Sequence, residues 1–307
     1  MTSPTQTDRI RLGIIGMSEG NGHPYSWSAI FNGYEAEAMR ESGFPVILDY
    51  LSQHTEERDY LGHLGEVTHV YSQDAQLSQR IASASRIPNV CDRVEDMVGR
   101  VDAVLLARDD VETRRSLAGP FLEAGIPIFI DKPLAVETDA ARQLLDVPGA
   151  RVFTCSALRF AQELQLSAHE LSELGDHLYV EACSPKSWQT YAVHALEPVV
   201  AWPFARGRLL SVTARPPGYG GGGGVHSVVV EWERLTLSLR TMGDLVSPIQ
   251  LHVHGSGGHR ALVFRDSFSA FRASLERFVG WVRGHAENIP IEETMEIVEI
   301  LERGSPE

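Results

Sequence analysis

Cysteine is scarce: three in 307 residues (Cys91, Cys155 and Cys183), odd in number, far apart and without a CxxC pair. That argues against a disulfide framework or a cysteine-built zinc site, and for a reducing compartment. Long apolar runs are missing too. The longest candidates, such as residues 101–107, are strand-sized and fall well short of the ~18 residues of a membrane helix, so no membrane partner is expected. Positive charge is in deficit, since 27 Lys and Arg against 41 Asp and Glu give a net charge of −14. Such a surface repels nucleic acid and anionic lipid. Residues 1–9 are polar and lack the apolar core of a secretory signal, so a cytoplasmic location is expected. Neither a GxSxG elbow nor a GxxxxGK[ST] loop is present, which disfavours the chemistries built on them. Strand alternation puts His252 and His254 on one face, with His259 nearby, but no carboxylate or cysteine completes a ligand set, and no metal is expected.

What is present is ordinary for a folded enzyme: 43% apolar and 22% charged residues, in a chain long enough for about two domains. In the N-terminal half, short apolar runs at 9–16, 67–71, 101–107 and 126–130 alternate with helical patterns at 25–42, 76–85 and 111–124. This rhythm predicts an α/β fold with a Rossmann-type, doubly wound parallel sheet. Residues 45–66 interrupt it as an insertion, with room for a short helix of its own. The C-terminal half carries strand patterns at 177–183, 209–214, 227–232, 235–239 and 250–254, and helices near 193–202, 268–283 and 292–303. This predicts an α+β domain with a largely antiparallel open sheet. The boundary is expected just after Pro133, giving domains 1–133 and 134–307, and the glycine run 220–224 is expected to be a loop or hairpin tip.

The first turn reads Gly16-Met-Ser18-Glu-Gly20-Asn-Gly22-His-Pro. Following a strand and opening a helix, it stands where a dinucleotide pyrophosphate meets backbone N–H groups. Ser18 and Asn21 occupy the positions where GxGxxG needs glycine, leaving Gly20 and Gly22 to admit phosphate by a longer loop, or a turn without ligand. Asp74, just past the second strand, has the place of a ribose acceptor or of a helix N-cap. No Lys or Arg follows it before Arg80, which favours NAD over NADP. Asp131-Lys132-Pro133 ends a buried strand at the sheet's carboxyl edge, where an ammonium polarises a substrate oxygen. His194 is the best acid–base candidate, because imidazole titrates near neutrality, though a histidine among apolar neighbours is also a common core group.

In order along the chain, Leu12-Gly-Ile-Ile-Gly16, the strand at 101–107 with Phe121-Leu-Glu-Ala-Gly125, Ile128-Phe-Ile-Asp-Lys-Pro-Leu-Ala135, Cys155-Ser-Ala-Leu-Arg-Phe160, and the closing helix with Ile289-Pro-Ile-Glu-Glu-Thr294 resemble the Gfo/Idh/MocA family. This is the glucose–fructose oxidoreductase and inositol dehydrogenase group. The resemblance implies an NAD(P)-dependent oxidoreductase acting on a secondary alcohol or ketone of a sugar, cyclitol or related compound. Lys132 matches the lysine of the family's Glu-Lys-Pro motif, with Asp131 for the glutamate, and His194 matches the family's histidine. Residues 155–160 match the first strand of the family's second domain. The resemblance also implies a homodimer or homotetramer formed through the C-terminal sheet. The sequence departs from the pattern at Thr190, where members often carry an aspartate four residues before the histidine. It departs again at Arg108-Asp-Asp110 and Arg114, where Thr-Pro and a histidine are usual.

The expected site is therefore Lys132 and His194 for catalysis, Gly16, Ser18, Gly20, Gly22, Asp74, Arg108, Asp131 and Lys132 for the dinucleotide, and Arg159, Trp188 and Tyr191 for a small-molecule substrate. Two alternatives on the same fold are a nucleotide-binding regulator or subunit, and a non-redox lyase or isomerase that retains NAD.

Overall fold

A computed structural model describes residues 9–215 and 224–306. The start of the chain and most of the glycine run expected as a loop lie outside the described residues. The chain forms two compact units, 1–131, 142–154 and 271–289 in one, and 132–141, 155–270 and 290–307 in the other. The expectation of one boundary after Pro133 thus becomes a first crossing between Asp131 and Lys132, after which the chain returns to the first unit twice.

The first unit is built on six parallel strands, β1 (Ile10–Ile15), β2 (Gly65–Tyr71), β3 (Asn89–Val90), β4 (Ala103–Leu106), β5 (Ile128–Ile130) and β6 (Val152–Phe153), in the order β3-β2-β1-β4-β5-β6. This is the Rossmann order. Leu12, Ile14, Ile15, Val104, Leu105, Leu106, Ile128 and Ile130 are wholly buried, as strands covered on both faces require. Phe129 stacks on Trp27 at 4.9 Å and meets Phe153 edge-on at 4.9 Å, with Phe278 at 5.5 Å. Burying each such ring contributes about 1.5–3 kcal/mol.

The single helix expected over 25–42 is two, α1 (His23–Asn32) and α2 (Ala36–Arg40), because Gly33 ends α1 at φ 75°, a left-handed conformation that stops a helix. Residues 45–66 contain α3 (Pro45–Leu51) and the start of β2. Helices α4 (Ala75–Ala84), α5 (Arg114–Glu123) and α6 (Thr138–Leu145) follow, α5 after a 3-10 turn at Val111–Thr113. The strand expected at 155–160 is a correction. Those residues wind into a 3-10 turn (Ala157–Phe160) capped by Ser156, and the strand lies earlier, as β6 on the first sheet.

The second unit carries β7 (Leu178–Ser184), β8 (Leu209–Ala214), β9 (His226–Trp232), β10 (Leu235–Thr241), β11 (Gln250–Gly255) and β12 (Gly258–Val263), ordered β12-β11-β7-β10-β9-β8. Four pairings are antiparallel, and β7 with β10 is parallel. Strand β12 was not expected, since His259 and Arg260 break its alternation and it is half-exposed at the sheet edge. Val180, Ala182, Val228, Val230, Leu237, Leu239, Leu251 and Val253 point to the buried face, on which α8 (Trp188–Ala201) packs against β7 and β10. Tyr179, Glu181 and Glu231 lie on the open face. The last helices are α9 (Ser267–Val282) and α10 (Ile291–Arg303), and α10 packs on α8.

Candidate functional site

In the first unit the carboxyl edge of the sheet gathers the expected dinucleotide residues, but their glycines divide by role. A Cβ on Gly16 would stand 2.2 Å from Pro24 Cγ, and one on Gly22 would stand 2.7 Å from Ile47 Cδ1. Both glycines are therefore required by the packing of α1 and α3 behind the loop. Gly20, at φ 73°, has open space around it, so only there does a bare backbone face outward. At the N-terminus of α1, Asn21 Oδ1 accepts from His23 N at 2.9 Å, Pro24 has no N–H, and Tyr25 N donates to Gly22 O at 3.1 Å, which leaves the N-cap amide of Gly22 open. The amides of Ser18, Glu19 and Gly20 carry no hydrogen bond among the described residues.

The loop after β4 clasps this turn. The Ser18 hydroxyl and the Asp109 carboxylate form a short hydrogen bond. Arg108, 9% exposed, forks onto Asp110 at 2.8 Å twice and reaches Met17 O at 3.2 Å and Gln73 Oε1 at 2.7 Å. A cation thus arrives at the end of β2 from β4, which no motif on β2 could announce. Burial pushes the Arg114 guanidinium down to about 10, while the carboxylates of Asp131, Asp109 and Asp110 act the other way, so it is charged at neutral pH. Asp74 caps α4, accepting from Leu77 N at 2.7 Å, the cap alternative of the two sequence readings. Asp131 is buried, taking hydrogen bonds from Asn21 Nδ2 at 3.0 Å and His23 Nδ1 at 2.6 Å. His23 in turn stacks on Trp27 at 4.9 Å. Asp131 anchors the loop to the end of β5.

These residues fit a dinucleotide in an altered manner. The amides of Ser18, Glu19, Gly20 and Gly22, without hydrogen-bond partners among the described residues, are the donors a phosphate oxygen could take here.

In the second unit, Lys132 is 4% exposed and its Nζ lies 5.4 Å from the centre of the Tyr191 ring. Tyr191 meets the His194 ring edge-on at 4.9 Å. Lys132, Tyr191 and His194 are thereby brought together, the last two one helical turn apart on α8. The hydroxyl of Ser156, 38 residues away in sequence, lies 2.7 Å from His194 Nδ1 and accepts from Leu158 N at 3.2 Å. A hydroxyl can donate to or accept from an imidazole nitrogen, so His194 keeps this partner in either protonation state. Lys186 brings its Nζ within 4.5 Å of the Tyr191 ring centre. Neither Ser156 nor Lys186 was expected. Lys186 had a signal, because the chain contains two lysines among its 27 basic residues and both come to this ring.

Two substrate-binding expectations meet a different outcome. Arg159 is tied at 2.6 Å to Glu197 and at 2.7 Å to Glu293. Burial would lower its pKa, but the Glu197 charge and hydrogen bond outweigh that and raise it. It braces α8 and α10. Trp188 is 1% exposed, with its Nε1 donating to Leu301 O at 2.9 Å, so it fills the core between the same helices. Among the described residues no group of three or more His, Cys, Asp and Glu is arranged to hold a metal, and no helix is long and apolar enough to cross a membrane.

The parallel sheet in Rossmann order defines the fold class of the first unit as that of dinucleotide-binding domains. Residues 10–148 match the model of the GFO_IDH_MocA oxidoreductase family, with an NAD-binding Rossmann fold. None of the curated proteins compared with the sequence matches it. Among solved structures, it is similar to apo scyllo-inositol dehydrogenase from Lactobacillus casei (12% identity, 99% of this chain and 97% of that one, TM-score 0.70). It is also similar to UDP-N-acetylglucosamine 3-dehydrogenase from Acidithiobacillus ferrooxidans (13%, 96% and 96%, TM-score 0.69). A third is GenD2 of gentamicin A biosynthesis in complex with NAD (15%, 99% and 95%, TM-score 0.69). At these identities the likeness is one of fold along the whole chain.

Proposed function

We propose that this protein is an NAD(P)-dependent oxidoreductase that transfers hydride between nicotinamide and a secondary alcohol or ketone of a sugar, cyclitol or related polyhydroxylated molecule. The observation that carries this reading is the meeting of Lys132, Tyr191 and His194 in a chain of this family. When bound, the dinucleotide supplies the hydride acceptor or donor. Ser18, Glu19, Gly20 and Gly22 would offer amides to its phosphates. NAD is favoured over NADP because Asp110 already forks onto Arg108, leaving less positive charge for a 2′-phosphate. Lys132 donates to the reacting oxygen and stabilises negative charge as it develops there. His194 takes or returns the hydroxyl proton at Nε2 while Ser156 holds Nδ1. Tyr191 forms the wall between lysine and imidazole.

A homodimer or homotetramer through the second sheet is part of this reading, supported by an open face that exposes Tyr179 at 43%. A cytoplasmic location accords with the free cysteines and the reducing compartment they favour. The test is an assay with NAD and NADP against a panel of sugars and cyclitols. Turnover with at least one substrate is expected, falling about 100-fold or more in Lys132→Ala, and unchanged turnover in both Lys132→Ala and His194→Ala would refute the roles. The altered phosphate loop favours one second reading, a nucleotide-binding regulator. Tight NADH binding with no turnover on any substrate would establish it.

A further inference from the structure

Both lysines of the chain point their ammoniums at one phenol ring, Lys132 at 5.4 Å and Lys186 at 4.5 Å from its centre. The two charges are therefore at most about 10 Å apart, the sum of those distances. Lys186 is exposed, so its ammonium is open to a ligand from solvent. Its Nζ pairs with no Asp or Glu within 4.0 Å among the described residues. Asp244, beside the bridging Gly243, forms no ion pair with it. Nor is its position slack. Lys186 has φ 57°, a left-handed conformation uncommon for a residue with a Cβ. It is held there by an antiparallel bridge to Gly243, whose N donates to Lys186 O at 2.9 Å. The bridge fixes the backbone of Lys186, and its exposed ammonium lies by the same ring as that of Lys132.

The geometry points to a second binding point for the substrate: Lys186 takes an anionic group, a carboxylate, on the same small molecule whose hydroxyl or ketone oxygen lies at Lys132. The substrate class is then a polyhydroxylated acid of the aldonic or uronic kind. The spacing allows one sugar-sized molecule to reach both ammoniums, one for the reacting oxygen and one for the carboxylate. The inference rests on the oxidoreductase reading for the role of Lys132, but the anion site itself requires only Lys186.

The experiment measures binding and turnover separately. Gluconate and glucuronate, with glucose and myo-inositol as neutral counterparts, are titrated calorimetrically into wild-type protein, Lys186→Met and Lys186→Arg, and the same set is assayed with NAD and NADP. The expected result is binding of at least one acid in preference to its neutral counterpart. That binding weakens about 10- to 100-fold in Lys186→Met, the size of a lost charge-assisted hydrogen bond, and is partly restored in Lys186→Arg. In turnover the loss falls on KM rather than kcat. Acid binding lost in Lys186→Met without turnover on any compound would uphold the anion site and overturn the redox reading. Turnover on neutral polyols with no preference for acids, or acid binding indifferent to Lys186→Met, would overturn the anion site and leave the redox reading standing. Preference for inorganic phosphate over the acids would overturn the choice of carboxylate.

Discussion

Ser156 gives His194 a hydroxyl where relatives of this family often place a carboxylate, and Thr190, in the carboxylate's sequence position, is occupied with Ser187 at 2.8 Å. A carboxylate only accepts and favours the imidazolium, whereas a hydroxyl serves both charge states. Ser156 is a positioning residue. Ser156→Ala is expected to lower kcat about tenfold, the worth of one hydrogen bond, with KM little changed. Ser156→Asp should shift the acidic limb of the pH–rate profile upward, because a nearby negative charge stabilises protonated imidazole. A profile indifferent to both substitutions would deny the role. This residue could not be read from the sequence: its 38-residue separation from His194 is closed only by the turn at Ala157–Phe160. That Lys132 and His194 come together could be anticipated because each lies in a motif, whereas the ion pairs of Arg159 and the burial of Trp188 could not, because a charged or aromatic side chain near a motif looks alike whether it faces a ligand or a core.

Helix α8 is held by a close contact with the end of α10. A Cβ on Gly304 would stand 2.4 Å from Trp188 Cζ2. Gly304 itself, at φ −89°, has a backbone that any residue adopts, so the constraint is space. Gly304→Ala should therefore destabilise by about 1–3 kcal/mol through overpacking, and Trp188→Ala by about 3–5 kcal/mol through the cavity it leaves. Because the two residues touch, the double variant should be more stable than the sum predicts. Denaturant titration of all four proteins checks this, and strict additivity would contradict it.

At the start of β1, Asp102 accepts from Arg11 N at 2.7 Å and from Arg11 Nη2 at 2.7 Å, and these hydrogen bonds hold its carboxyl below the usual range. The stabilisation this brings is full above the unfolded value near 4 and is lost as pH falls through the lower folded value. Both side chains are about half exposed, which limits it to less than about 1 kcal/mol. Asp102→Asn should flatten the acid limb of the stability curve by that amount. Elements such as β1, β4 and β5 were legible because burial on both faces leaves continuous apolar runs. Strand β12 and the break at Gly33 were not, since a half-exposed edge strand and a single left-handed residue leave little trace in hydrophobic spacing.

For the whole molecule, the alternation of strands and helices foretold the parallel sheet, and the ordered motifs foretold the family model that residues 10–148 match. The sequence could not show that the chain returns twice to its first unit, because such crossings are set by which surfaces pack rather than by local pattern. The same holds for the phosphate loop, whose glycines looked equivalent until packing assigned Gly16 and Gly22 to the core and left Gly20 exposed. The central claim is that hydride moves between a nicotinamide and a substrate carbon whose oxygen lies at Lys132 and His194. Its most direct test is a single turnover with NADH deuterated at the transferring position of C4 and the ketone forms of the substrate panel, followed by mass spectrometry of the product. The account predicts deuterium on the new carbinol carbon with wild-type protein and its loss in Lys132→Ala. Deuterium that remains wholly on bound cofactor for every ketone would contradict it.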